Sequence, residues 1–551
     1  MIKLTYKNKD YEFDTGTRLS DIVNEINDFK KDFLLLCKID NIYHDLRDKI
    51  EISGKLTPIY CNDGEGKRTY LNTTLLILIK AANELFPKCK VYFEYTIGNG
   101  LYAEVSKKGE LTQEDIDKLI AKMNELVLKA SDIRKVSLTI GEALKIFKKY
   151  NMVDKIKLYK NSNLQYINLY ELDGTYDAFN GFVAANTSII KTFSLIKYKY
   201  KSGFLVLVPN DEDASYIAPF IDYPKLSQVF LESEKWQRII GVSTTGELNE
   251  KINNKSITNI IRINEALHEK KIAQIADMIK ERKSVKVILI AGPSSSGKTT
   301  FSKRLSVQIM VNGQIPIYLG TDDYFVEREK TPRDENGEYD FESLDALDID
   351  LFNKDLTDLL NGKEVDIPTF NFLLGKKEWT GNKVKLPPNG VLIIEGIHGL
   401  NDDLTISIPK ENKFKIYISA LTQLNLDDHN RIASTDVRII RRMVRDFLSR
   451  GYDAEQTLLR WSSVKKGEEK NIFIYQENAD VMFNSSLVYE IGVLNMFALA
   501  QFNTISEESS VYSEVLRLKS IINLFQDIPV DMVPDNSLLR EFIGGSIFYN
   551  Y

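Results

Sequence analysis

Residues 287–301 read VILIAGPSSSGKTTF. An apolar run breaks into small residues, then Lys298 and two threonines, and few folds accommodate that succession. G-P-S-S-S-G-K-T satisfies G-x-x-x-x-G-K-[ST] in full. Gly292 and Gly297 let the backbone fold tightly, so that loop N–H groups face an anion. Lys298 can then reach the outer phosphates of a nucleoside triphosphate and Thr299 can ligate Mg²⁺. The preceding VKVILIA predicts a buried strand and the following TTFSKRLSVQIM a helix, the context this loop requires. The candidate ATP contacts are Gly292, Pro293, Ser294, Ser295, Ser296, Gly297, Lys298, Thr299 and Thr300.

Residues 284–500 alternate apolar strands with helical stretches, a pattern that predicts an α/β domain with a parallel sheet. The strand in PPNGVLIIEGIHG ends at Glu395, roughly a hundred residues past the loop, where a second metal-side carboxylate belongs. The strand IPIYLG runs into TDDYF, and Asp322 or Asp323 at its C-terminal edge could orient an acceptor hydroxyl and take its proton. Parts of a switch or a motor are missing. Asn412-Lys413-Phe414-Lys415 lacks the Asp of a guanine reader, D-E-N-G at 334–337 follows no apolar strand, and Glu395 precedes glycine rather than a second acid.

Residues 431–460 hold seven arginines and no lysine, in a chain with 19 Arg and 53 Lys. Arg438, Arg441, Arg442 and Arg445 recur at helical spacing on one face, with Ile440, Val444, Phe447 and Leu448 on another. Arginine forks clamp phosphate, so this helix is expected to close over the triphosphate as a lid. A solvated face and a nucleic-acid patch are the alternatives.

The chain of 551 residues is too long for one ordinary core. A net charge of −6 excludes a global nucleic-acid or anionic-membrane footprint. Cys37, Cys61 and Cys89 show no CxxC spacing, and the four histidines show no metal-ligand spacing. Apolar stretches such as LLILI at 75–79 are too short to span a bilayer, and a cytoplasmic location is expected. Residues 1–60 read as a small α+β module with a helix capped near Ser20. In residues 61–235 a helix is expected over LNTTLLILIKAANELF, ended by Pro87. VYFEYTI and LYAEVS follow as strands, then a helix with Thr112 as N-cap, and strands recur through 156–208. Residues 236–283 read as a helical connector and 501–551 as a mostly helical extension.

GPSSSGKTT, TDDYF, DIPTFNF, LIIEGIHG and DVRIIRRMVRDFLSRG, in that order, resemble the uridine kinase and phosphoribulokinase family over residues 285–490. The resemblance implies a P-loop kinase that moves the γ-phosphate of ATP to a small-molecule hydroxyl. It implies Asp322 as the catalytic Asp, Glu395 beside Thr299 on Mg²⁺, and Lys298, Arg442, Arg445 and Arg450 in the phosphate and substrate region. Departures fall in the nucleoside-reading parts. F-D-H-P is here Phe341-Glu342-Ser343-Leu344, the Tyr of I-P-x-Y-D-F is Phe370, a following His is Gly375, and a Gln past the last lid Arg is Arg460. Glu342, Phe370, Arg450 and Arg460 are thus candidate substrate contacts beside Asp322. A nucleoside, with uridine or cytidine as default, is the expected acceptor, and an anionic non-nucleoside acceptor is the alternative.

Residues 1–60 resemble a TGS domain, a ubiquitin-like module. Residues 61–235 are similar to the second additional domain of threonyl- and alanyl-type synthetases, through DGEG, ELFP and IGNGLYAEV. Where such editing domains carry H-x-x-x-H for zinc, this chain has Asn72 and Leu76, so no zinc is expected and the region reads as a degenerate binding or regulatory domain. A small-molecule acceptor, RNA or ligand contact by this half, and self-association are the expected partnerships. An ATP-gated RNA-binding regulator is the rival from another functional class.

Overall fold

The computed structural model describes every residue except 27, 334–336, 338, 372, 373, 423, 550 and 551. Three residues of the D-E-N-G stretch and Phe372 lie outside the described residues. The apolar runs around the phosphate loop form a parallel sheet, because VILIA and VLII can be buried on both faces only between covering layers. Its strands are β1 (Val287–Ala291), β2 (Ile315–Gly320), β3 (Gly390–Glu395), β4 (Lys413–Ser419) and β5 (Val481–Asn484), in the order β2-β3-β1-β4-β5 among the described residues. Neighbouring strands pair in parallel throughout. The phosphate loop follows the central strand, Glu395 ends the strand beside it, and the Asp322 turn follows the next strand out on the same side. All three therefore meet at one sheet edge.

The helices that position this edge are α1 (Ile257–Glu281), α2 (Lys298–Val311), α3 (Ser434–Ser449) and α4 (Ala454–Asn471). On α1, Ile272, Ile275 and Ile279 pack in one core with Phe301, Leu305 and Ile309 of α2. Arg304 of α2 pairs with Glu269 at 2.8 Å and Glu265 at 3.3 Å. The charged end of the expected connector is thus part of the sheet's covering layer.

In the N-terminal region, strands Ile2–Tyr6, Lys9–Phe13, Leu36–Ile39, Ile42–Asp45 and Gly54–Ile59 form a mixed sheet in the order second-first-fifth-third-fourth. The helix there is Leu19–Glu25; Arg18 precedes it, no side chain caps it, and the expected cap Ser20 lies inside the first turn. Residues 64–207 place the helices Gly64–Leu85 and Gln113–Leu128 against an antiparallel sheet. The first starts seven residues before the expected Leu71, because Asp63 accepts from Glu65 N and Gly66 N and sets the N-terminus there. Thr112 caps the second with a capping box to Asp115, as its sequence predicts.

Residues 153–159, whose end falls within the expected strands, form a helix instead. The helices before α1 begin at Pro224, with proline at the first turn, rather than near 236. The final fifty residues contain helices Tyr512–Ile522 and Arg540–Ile543 but are otherwise largely irregular. Buried Leu538, Leu539 and Phe542 fix the last part by packing rather than by helix periodicity.

One apolar core runs from Ala143, Phe147 and Leu158 through Leu248 to Val437, Ile440 and Phe542. At its edge Lys155 is completely buried, with Asp177 at 2.9 Å and Asp427 at 3.0 Å. His429 Nδ1 lies 2.6 Å from Asp177. The 153–159 helix is thereby locked to the loop that leads into α3. Among the described residues no helix is long and apolar enough to cross a membrane.

Candidate active site

Gly297 takes φ +85° at the turn into α2, a conformation that favours glycine, and Ser295 takes φ +57°. Among the described residues, the Ser295 and Ser296 hydroxyls are buried without a hydrogen-bond partner. Buried hydroxyls normally find partners, so these two mark a cradle built for oxygen atoms that are not the protein's own. Lys298 Nζ donates to Gly292 O (2.9 Å) and Pro293 O (3.2 Å). Burial holds its amine below the usual lysine range, against the pull of Glu395. Thr299 Oγ1 donates to Glu395 at 2.8 Å. A hydroxyl and a carboxylate brought together are the hard oxygen donors Mg²⁺ takes, so these two residues fit the ion.

Asp322 and Asp323 occupy a short 3₁₀ turn at the end of β2. Asp322 is exposed at its surface, yet the surrounding protein pushes its carboxyl up; Lys298 counters this and Asp323 adds to it. Asp323 Oδ1 instead accepts from Phe370 N at 3.4 Å, in the hairpin formed by Thr369–Asn371 and Lys376–Glu378. The two acids left open by sequence thus differ in surroundings: Asp322 feels the charge of Lys298, and Asp323 supports the hairpin.

The arginines of α3 divide by depth. Arg438 binds Glu468 of α4 with both guanidinium arms, at 2.6 and 2.8 Å, and Arg441 binds Glu490 at 2.5 Å. Both arginines are buried, and both reach loop carbonyls, Ser294 O and Ser295 O respectively, at 3.3 Å. Arg442 donates to Ser294 Oγ at 2.9 Å and pairs with Asp446 at 3.2 Å. Arg445 lies 3.5 Å from Asp446 and 3.9 Å from Glu541. The helix packs behind the loop with these arginines turned inward, which removes the alternative of a solvated face. Phe447 and Leu448, expected to pack on the body, are 53% and 46% exposed. The arginines took the core side because acids were waiting there.

Glu342, an expected substrate contact, packs against α4 where Gly467 leaves room; a Cβ at that glycine would come within 2.3 Å of its carboxylate. Burial, reinforced by Glu468, pushes Glu342 up to about 7, against the pull of Arg442. His398 lies beneath, 3% exposed, its Nε2 without a partner and its imidazole pushed by burial down to about 4. Phe370 is buried and packs at a tilt against Phe325, ring centroids 5.6 Å apart. Arg450 reaches Asp446 at 3.5 Å. Arg460 is exposed and lies over the Tyr452 ring at 4.7 Å, two turns before Gly467 on α4.

Sequence reasoning missed Glu468, Glu490 and Glu541. Ser294 N donates to Glu468 Oε1 at 2.7 Å, and Thr300 N to Glu541 Oε2 at 3.1 Å. Buried arginines on α3 demand buried acids, and that demand was the available signal; it does not say which acids answer it.

Residues 287–491 match the Phosphoribulokinase / Uridine kinase family. A uridine kinase of Limosilactobacillus reuteri (strain DSM 20016) is 28% identical over 188 residues, covering 34% of this chain and 77% of that protein. One of Staphylococcus aureus (strain JH9) is 29% identical over 182 residues, covering 33% and 78%. Among solved structures, a possible uridine kinase from Bacillus stearothermophilus is 18% identical with a TM-score of 0.26, over 38% of this chain and 98% of that one. D-glycerate 3-kinase from Cryptococcus neoformans is 13% identical with a TM-score of 0.21, over 48% and 89%. Overlaps this loose do not bear on the substrate.

Proposed function

From the premise that residues 287–491 are a domain of the phosphoribulokinase and uridine kinase family, we propose that this chain transfers the γ-phosphate of ATP to a hydroxyl of a small molecule, a nucleoside by default. The observation that carries the reading is convergence. Lys298, the Thr299–Glu395 pair and Asp322 meet at one edge of a parallel sheet, around a loop with orphaned hydroxyls. Bound Mg²⁺ would neutralise charge on the phosphates, held by Thr299 and Glu395. Lys298 exchanges its carbonyl contacts for phosphate oxygens. Asp322 orients the acceptor hydroxyl and takes its proton, and a carboxyl pushed upward is the better base for it. Arg442, already on Ser294, draws on the transferring group. Glu342 and Phe370 line the acceptor side, where departures from the nucleoside-reading pattern leave the acceptor's class to experiment.

The test is ADP release with a panel of nucleosides, sugars and sugar phosphates, using wild type, Lys298→Ala, Asp322→Asn and Arg442→Lys. Turnover should vanish in the first two, with ATP affinity lost in Lys298→Ala and kept in Asp322→Asn. Arg442→Lys should lower kcat roughly ten- to a thousandfold, because lysine lacks the planar fork. Full turnover in Asp322→Asn would remove it as the base.

A second reading, an ATP-gated binding protein, draws on the buried Lys155–Asp177–Asp427 cluster that couples the N-terminal half to the loop entering α3. RNA binding that changes with ATP while no acceptor releases ADP would favour it.

A further inference from the structure

A phosphate loop binds anions because its N–H groups have few other acceptors in reach. Here two of those donors are already engaged by carboxylates of the chain itself, and the two differ. Glu468, on Ser294 N, is gripped by both arms of Arg438 and is 1% exposed, so it is neutralised and fixed. Glu541, on Thr300, is less firmly paired. Its Oε2 accepts from Thr300 N at 3.1 Å and from Thr300 Oγ1 at 3.0 Å. Its Oε1 faces Arg445 at 3.9 Å, beyond hydrogen-bond reach. Tyr549 OH lies 3.1 Å from the same Thr300 hydroxyl, and Leu538 lies alongside Gly297. The loop is thus overlaid on one side by residues 537–549, and Thr300 is completely buried beneath them.

We infer that residues 537–549 form an autoinhibitory strap in which Glu541 occupies, as a carboxylate, the Thr300 donors that a nucleotide phosphate needs. The inference rests on the reading of this loop as a nucleotide site. Two anions a few ångströms apart on one donor pair repel, so phosphate and Glu541 exclude each other. Nucleotide entry is an exchange of one anion for another at the first turn of α2. When Glu541 leaves, Arg445 keeps Asp446 but loses the second of its two acidic neighbours, and one arm is released toward the incoming phosphate. The apparent affinity for nucleotide is then the intrinsic affinity reduced by the fraction of molecules with the strap open.

The test is equilibrium binding of MgADP to the full chain, which requires no acceptor and no turnover. Glu541→Gln removes the competing charge and should tighten MgADP about tenfold. Tyr549→Phe, which deletes one hydroxyl and spares the packing, should tighten it less but in the same direction. In wild type, saturating MgADP should speed amide hydrogen exchange across residues 538–543. Equal or weaker binding by Glu541→Gln, or a strap that stays protected while MgADP binds, overturns the strap and leaves the nucleotide site standing. Failure of both wild type and Glu541→Gln to bind MgADP overturns the nucleotide reading and the strap together. If Glu541→Gln does not fold, Tyr549→Phe and the exchange measurement on wild type decide.

Discussion

Glu342 shows how burial can set one residue's charge state. Its carboxyl, pushed up to about 7 from an ordinary 4.5, keeps a proton in the folded state that the unfolded chain has already released. Between those values the folded form binds more protons, so this residue lowers stability as pH rises through the window. Glu342→Gln should remove that slope: its melting temperature should gain on wild type between pH 5 and pH 8. Thermal unfolding across that range checks it, and parallel curves would show that Glu342 is not held protonated. At this scale the meeting of the loop, Glu395 and Asp322 at one sheet edge was legible, because each is read from a short run with its own strand. Glu468 and Glu541 were not, since they reach the loop from 174 and 241 residues away, in stretches whose local pattern says only charged helix and irregular tail.

Among the elements, α3 departs furthest from its sequence pattern. Helical spacing placed four arginines on one stripe, and stripes of charge usually face water. Burial inverted that, since Glu468 and Glu490 meet Arg438 and Arg441 inside the protein, while Phe447 and Leu448 were left outside. The balance of such a pair is asymmetric. Removing one partner strands a buried charge, at about 3–5 kcal/mol, whereas replacing both with apolar residues of similar volume is often neutral. Arg441→Met should therefore destabilise the fold by about that amount, and Arg441→Met with Glu490→Leu should recover most of it. Chemical denaturation of both variants measures the difference. Equal losses would mean that Arg441 acts through its contacts to Ser295 O and Ser485 rather than through the pair. Element types with strong local signals, such as the capping box at Thr112 and the strands flanking the loop, were read correctly. Starts were read late where the signal was a lone Asp63 before two glycines, and the 153–159 helix is too short to display a period.

For the whole molecule, the continuous core and the Lys155 cluster have a consequence for heat. Proteins assembled from several regions commonly melt in stages, each region at its own temperature. Here Lys155, Asp177 and Asp427 belong to sequence regions that would melt separately if they were independent, and their charges are stable only in each other's company. Opening one side exposes the other's unpaired charge and apolar surface at once, so the transitions should merge. Differential scanning calorimetry of the intact chain should show one dominant endotherm spanning residues 140–549. Lys155→Met, which leaves two buried carboxylates facing each other, should lower it and split it into two. A wild-type thermogram already resolved into independent peaks would mean that the cluster seals a contact without joining the two sides into one cooperative unit.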